Sequence, residues 1–95
     1  MRPALTLSQI QEALVGLDGW KVIDAKLLKV YDLRDFKTAL AFINQVGGLA
    51  EQLNHHPEIH NCWNRVTLSL STHDAGGQIT EKDLTLARAI QSISP

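Results

Sequence analysis

Residues 35–72, DFKTALAFINQVGGLAEQLNHHPEIHNCWNRVTLSLST, pass from a helical period to an alternating one, and that change decides the fold. Phe36, Leu40, Ile43, Val46, Ala50 and Leu53 recur three or four residues apart, the spacing of one apolar helix face, and Asp35 is placed to cap its start. Pro57 cannot continue a helix and disfavours α geometry at His56, so the helix must finish near Asn54. Beyond it Val66, Leu68 and Leu70 alternate with Arg65, Thr67 and Ser69, as in a half-buried strand. Asn61 or Asn64 can mark a turn splitting this run into two strands. Gly47 and Gly48 inside the helix each cost about 1 kcal/mol relative to alanine, so either something approaches that backbone closely or the helix is locally weak.

Working outward, Leu7, Ile10, Leu14 and Leu17 predict a first short helix, with Thr6 or Ser8 as its N-cap and Gly19 ending it. WKVID and KLLKVYDL predict two strands joined by a hairpin at Asp24-Ala25. HDAGGQI reads as a loop. Thr80 with Asp83 three residues later is a capping-box start for a last helix carrying Leu84, Ala87, Ile90 and Ile93. The expected order is α-β-β-α-β-β-α: an α+β two-layer sandwich, with a four-stranded antiparallel sheet and helices on one face. The other face and the sheet edges are then left for self-association.

Ninety-five residues suit one domain, and 44% apolar with 20% charged residues allow a modest core. Nine basic and ten acidic side chains give a net charge of −1, which offers no electrostatic footprint for nucleic acid or an anionic membrane. No apolar run approaches the roughly 20 residues that span a bilayer. A lone Cys62 and an N-terminus without a signal-like apolar core fit a cytoplasmic setting. Cys62 itself reads as a packed strand residue rather than a nucleophile, and no lysine follows Gly76-Gly77 in the P-loop pattern.

Three of the four histidines, His55, His56 and His60, fall within six residues. At a helix C-terminus an imidazole can simply stabilise the dipole end. Several converging on one pocket point instead to acid–base chemistry, because imidazole donates and accepts protons near neutral pH. A metal is not expected: adjacent His55 and His56 in extended backbone point to opposite sides, and Cys62 has no partner cysteine.

Glu51, three residues, His55-His56-Pro57, five residues, Trp63, nine residues, His73, nine residues and Asp83 form a pattern that resembles the signature of the pterin-4a-carbinolamine dehydratase family. That family is also known as the dimerisation cofactor of a hepatocyte homeodomain factor. The likeness extends from Gly19-Trp20 through Ile90. It implies the same α-β-β-α-β-β-α fold, assembled as homodimers or homotetramers. It also implies dehydration of a 4a-hydroxytetrahydropterin such as 4a-hydroxytetrahydrobiopterin to the quinonoid dihydropterin, in recycling the cofactor of aromatic amino-acid hydroxylases, with no metal or redox cofactor. The alternative roles it implies are a non-catalytic protein-binding dimerisation cofactor and an accessory factor in pterin or molybdopterin metabolism. By position, His55, His56 and His73 match the catalytic histidines, while Asn54, Ser71, Thr72 and Asp74 fall in the segments that line the pterin. We expect His55 and His73 to exchange protons with the substrate and His56 to bind and polarise it. Glu51, one helical turn before His55, can hold an imidazole in one tautomer or be a solvated helix residue. Asp83 belongs to the signature but reads equally as the capping acid of Thr80. Trp63 and Trp20 are expected in the core or in a pocket wall. His60 lies outside the signature and is expected at the surface or rim.

Overall fold

The computed structural model describes residues 4–94. Its elements are α1 (Leu7–Leu14), β1 (Lys21–Ile23), β2 (Lys26–Asp32), α2 (Phe36–Leu53), β3 (Glu58–Cys62), β4 (Arg65–Leu70) and α3 (Glu81–Ile93), with a single 3-10 turn, His73–Ala75, before α3. The strands form one antiparallel sheet in the order β1-β2-β4-β3, as the α+β reading requires. Alternation sends Leu27, Tyr31, Val66, Leu68 and Leu70 to the helix side, where they share one core with Ile10, Phe42, Val46, Leu86 and Ile90.

Local chemistry sets each boundary. Thr6 caps α1 through a capping box with Gln9. The helix is shorter than its apolar spacing predicts: Leu17 is buried, but from the turn that follows, with its N–H donating to the Leu14 carbonyl. Gly19 has φ +85°, and a Cβ there would stand 2.9 Å from Cε of Lys29. The ammonium of Lys29 sits over the Tyr31 ring and donates to Asp18 O and to Oε1 of Gln91. Burial pushes that ammonium below its usual range, against the opposing pull of Asp18. Asp24 and Ala25, at φ 52° and 62°, make the two-residue left-handed hairpin whose twist matches its strands.

Asp35 caps α2 by accepting from the Thr38 N–H at 2.8 Å. Hydrogen bonds from Thr38, side chain first and then backbone, hold the Asp35 carboxyl below its ordinary range. A depressed carboxyl stabilises above its unfolded-state range and loses that contribution as the pH falls through the folded-state range. Between pH 7 and 3 the urea midpoint should therefore fall more steeply for the wild-type protein than for Asp35→Asn, and parallel curves would refute the link.

The face of α2 agrees with its spacing in part: Val46 and Ala50 are buried and Ile43 packs on the core as expected, but Ala39 and Phe42 are buried with them, whereas Phe36 is 52% and Leu40 44% exposed. Two apolar rows adjoin on this helix, and the sheet and α3 cover only one. Among the described residues nothing beyond the helix's own adjacent backbone lies within 4 Å of a Cβ built on Gly47 or Gly48, so no close approach there explains them, and the helix runs through both unbroken.

The β3–β4 turn is Trp63-Asn64. Asn64 ties it to β2, donating from Nδ2 to Leu33 O and accepting from Leu33 N, while Asn61 braces it from within by donating to Trp63 O and Arg65 O. Trp63 takes φ 55° at the tip and is 83% exposed, which corrects its expected place in the core; it borders an open hollow with Arg34, Asp35, Phe36 and Asn64 instead. Trp20 is buried as expected, with Nε1 donating to Gln91. Cys62 is exposed rather than packed, because it pairs with Arg65 on the sheet's outer side.

Candidate active site

Helix α2 ends on Asn54 in the left-handed conformation, φ 50° and ψ 45°, and the His55 N–H donates back to Ala50 O. That turn separates the two adjacent histidines. His55 goes inward and is buried; His56 stays exposed. Nε2 of His56 lies 2.8 Å from Oε2 of Glu51, so Glu51 partners His56 and not His55, the histidine one helical turn away. The left-handed residue breaks the helical register that an i,i+4 pairing assumes.

Beneath the inward histidine is a closed polar cluster. Nε2 of His55 is 2.5 Å from Oδ1 of Asp83, a fully buried carboxylate on the first turn of α3. Its other oxygen, Oδ2, accepts from the Thr80 N–H at 2.9 Å and from the Thr72 hydroxyl at 2.8 Å. The Thr72 and Thr80 hydroxyls meet at 2.5 Å, and both residues are buried. Asp83 is thus at once the capping acid and the orienting partner of a histidine. Among the described residues no buried side-chain nitrogen or oxygen lacks a partner. His55 Nδ1 has no hydrogen-bond partner among the described residues, and since no fully buried side-chain nitrogen there lacks one, it is open to solvent.

His73 comes from the other side. It opens the 3-10 turn after β4 and is exposed. The loop closes on itself: Thr72 N donates to Gln78 O at 2.8 Å and Gly77 N to Thr72 O at 3.0 Å. Gly77 holds φ 77°, a conformation that suits glycine.

Asn54, His55, His56, Thr72, His73, Asp74 and Lys82 line one open cleft of about 310 Å³, within the range of roughly 300–1,000 Å³ common for small-molecule sites. A smaller hollow adjoins it at Leu53, Glu81 and Thr85. A larger one, about 450 Å³, lies elsewhere, against the sheet at Leu28, Thr67 and Ser69, where Lys26 and Glu58 are ion-paired. The histidine cleft is where groups able to donate and accept protons gather, so it is the better candidate. Ser71, one residue past the end of β4, is not among the residues that line the cleft. Trp63 stands at the far end of the β3–β4 hairpin from the cleft, and exposed His60 lines the other hollow. The Thr72 hydroxyl points into the buried cluster, so only the rest of that residue is available to a ligand.

Two residues escaped sequence reasoning. Lys82 enters the cleft because it precedes Asp83 on the first turn of α3. Thr80 carried a readable signal, the T-x-x-D cap, but nothing local marked its contact with Thr72. Among the described residues no three His, Cys, Asp or Glu side chains stand close enough to share a metal ion. Nor is any described helix long and apolar enough to cross a membrane.

A buried histidine–carboxylate pair beside two exposed imidazoles, on the helix-covered end of an α+β sandwich, defines a site suited to proton transfer on a small molecule. Residues 3–93 match the family described as pterin 4 alpha carbinolamine dehydratase, and the chain belongs to that family. Proteins provisionally named pterin-4-alpha-carbinolamine dehydratase are similar over almost their whole length. That of Thermosynechococcus vestitus is 40% identical, covering 99% of this chain and 98% of its own. That of Opitutus terrae is 45% identical, covering 99% and 97%. A crystal structure from Brucella melitensis, titled a transcriptional coactivator/pterin dehydratase, superposes with a TM-score of 0.91 at 39% identity, covering 98% of this chain and all of that one. A pterin dehydratase-like RuBisCO assembly factor of the alpha-carboxysome shares the fold alone, with a TM-score of 0.61 at 19% identity over 77% of this chain and 83% of its own.

Proposed function

We propose that residues 1–95 act as one pterin-4a-carbinolamine dehydratase domain, removing water from a 4a-hydroxytetrahydropterin such as 4a-hydroxytetrahydrobiopterin. The observation that carries this reading is the convergence of His55, His56 and His73 on one cleft. In the reaction the C4a–O bond breaks, the leaving hydroxyl takes up a proton and departs as water, and a ring nitrogen gives up a proton to leave the quinonoid dihydropterin. No electrons are exchanged. His55, with Nε2 engaged by Asp83, offers Nδ1 as the base toward the ring proton, and the carboxylate faces the positive charge that the ring acquires. His73, whose ring is exposed and has no hydrogen-bond partner among the described residues, delivers the proton to the leaving oxygen. His56, held by Glu51, binds and polarises the substrate with Asn54 and Asp74.

Assembly as a homodimer or homotetramer is supported by Phe36 and Leu40 on α2, apolar side chains left about half exposed. The same side chains favour a second reading, a protein-binding module that keeps the pterin site passively. Quinonoid dihydropterin formation against the spontaneous reaction separates the two. The dehydratase should accelerate it, and His73→Ala should lower kcat by about 100-fold, the usual scale of one general acid. A wild-type protein giving no acceleration would leave only the binding module, and a His73→Ala variant at full rate would remove His73 from the mechanism.

A further inference from the structure

Asp83 fixes His55 and is itself fixed from behind. Its carboxylate has three donors around it, His55 Nε2, the Thr80 N–H and the Thr72 hydroxyl. Thr72 has a single hydroxyl proton, and giving it to Asp83 leaves its oxygen only an acceptor's part in the 2.5 Å contact with Thr80. Thr80 must then donate to Thr72, and its own oxygen is in turn the acceptor for the Lys82 N–H at 3.2 Å. The protons therefore run one way: Lys82 N–H to Thr80, Thr80 to Thr72, Thr72 to Asp83. The reverse direction would need a proton on Oδ2, the oxygen to which the Thr80 N–H already donates.

We propose that Thr72 and Thr80 are positioning residues that act through Asp83 to hold His55 in the Nε2–H tautomer, with the Nδ1 lone pair turned to the cleft. This deepens the dehydratase reading and rests on it for its catalytic consequence. The tautomer itself does not depend on the reaction. Thr72, Thr80 and Asp83 are all buried, so bulk water does not compete for these bonds, and a chain with every donor used once has a single low-energy arrangement. The chain also spans the loop between β4 and α3, so it sets the base against the segment that carries His73.

The test combines kinetics with nitrogen-15 NMR of the His55 ring at neutral pH. Thr72→Val removes the direct donor at nearly constant shape and should lower kcat by about tenfold or more, the scale seen when partners behind a functional histidine are lost, while KM stays nearly constant. Thr80→Val removes the donor to the Thr72 oxygen and also the cap acceptor of the Lys82 N–H, so it should do the same to a smaller extent, at a modest cost in stability. Thr72→Ser and Thr80→Ser keep the hydroxyls and should restore the rate. The wild-type ring should show one Nε2–H tautomer, and Thr72→Val a mixture. A Thr72→Val ring that keeps the single tautomer overturns the proposal, even if kcat falls, because the loss would then be structural. Should the wild-type protein prove not to be a dehydratase, the NMR comparison decides by the same two outcomes. Thr80→Val guards against a Thr72 variant that does not fold, since a single retained tautomer there, with kcat at the wild-type level, overturns the role of Thr80.

Discussion

His55→Ala should lower kcat for 4a-hydroxytetrahydropterin dehydration by about 1,000-fold, within the range of roughly 10²–10⁴ for a positioned general base. The loss exceeds that expected for His73 or His56 because His55 alone is buried against a carboxylate and so is held in one orientation. His56 and His73 are exposed, and bulk water can partly substitute for either. Alanine also leaves the Asp83 carboxylate buried beside an empty space, so part of the protein could unfold, and the thermal midpoint must be measured alongside. His55→Gln keeps an N–H able to reach toward Asp83 but supplies no base; it should fold better than the alanine variant and be nearly as inactive. Rates would be followed as quinonoid dihydropterin formed at saturating substrate, with the spontaneous reaction subtracted. Either variant within about threefold of wild type would show that His55 is not the base, since even the low end of that range is far larger.

Much of the fold was legible because its boundaries rest on short-range chemistry. Pro57 stops α2, Asp24-Ala25 makes the hairpin, and the T-x-x-D box starts α3, each through a steric or hydrogen-bonding rule that acts within a few residues. The errors lie where the partner is distant. The buried row of α2 could not be told from its neighbour, because both rows are apolar and only the placement of the sheet and α3 selects Ala39 and Phe42 over Phe36 and Leu40. Trp63 was misplaced for a related reason: a large aromatic ring is assigned to the interior on average, and the left-handed turn that puts it outside is specified by the neighbouring Asn61 and Asn64. The candidate site was legible only through resemblance. Periodicity placed His55 and His56 at a helix end but had no means of bringing His73 to them from beyond two strands. The contacts of Thr72, Thr80 and Asp83 close across a loop, and the cap pattern at Thr80 accounts for only one of the three donors to Asp83.

Asp83→Ala should be the most destabilising single change at the site, by about 3–5 kcal/mol, the scale expected when a buried hydrogen-bond network loses its shared acceptor. Three donors would be stranded: the Thr80 N–H, the Thr72 hydroxyl and Nε2 of His55. An unsatisfied buried polar group costs about 1–3 kcal/mol, and the lost N-terminal box of α3 removes roughly 1 kcal/mol more. These overlap, because relaxation and entering water satisfy some donors, so their sum exceeds the expected total. Against a usual stability of about 5–15 kcal/mol, such a loss leaves little margin. At about 4–8 °C per kcal/mol for a domain of this size, the melting temperature should fall by roughly 12–40 °C. Asp83→Asn separates the charge from the shape. Its single carbonyl oxygen can accept from either Thr72 and Thr80 or from His55, but its amide must turn a donor toward the other side. A smaller thermal loss with a large loss of turnover is therefore expected for asparagine. Equal melting temperatures for asparagine and wild type would mean that the negative charge of Asp83 contributes no stability, and that the cluster beneath His55 is held by hydrogen bonds a neutral amide can also make.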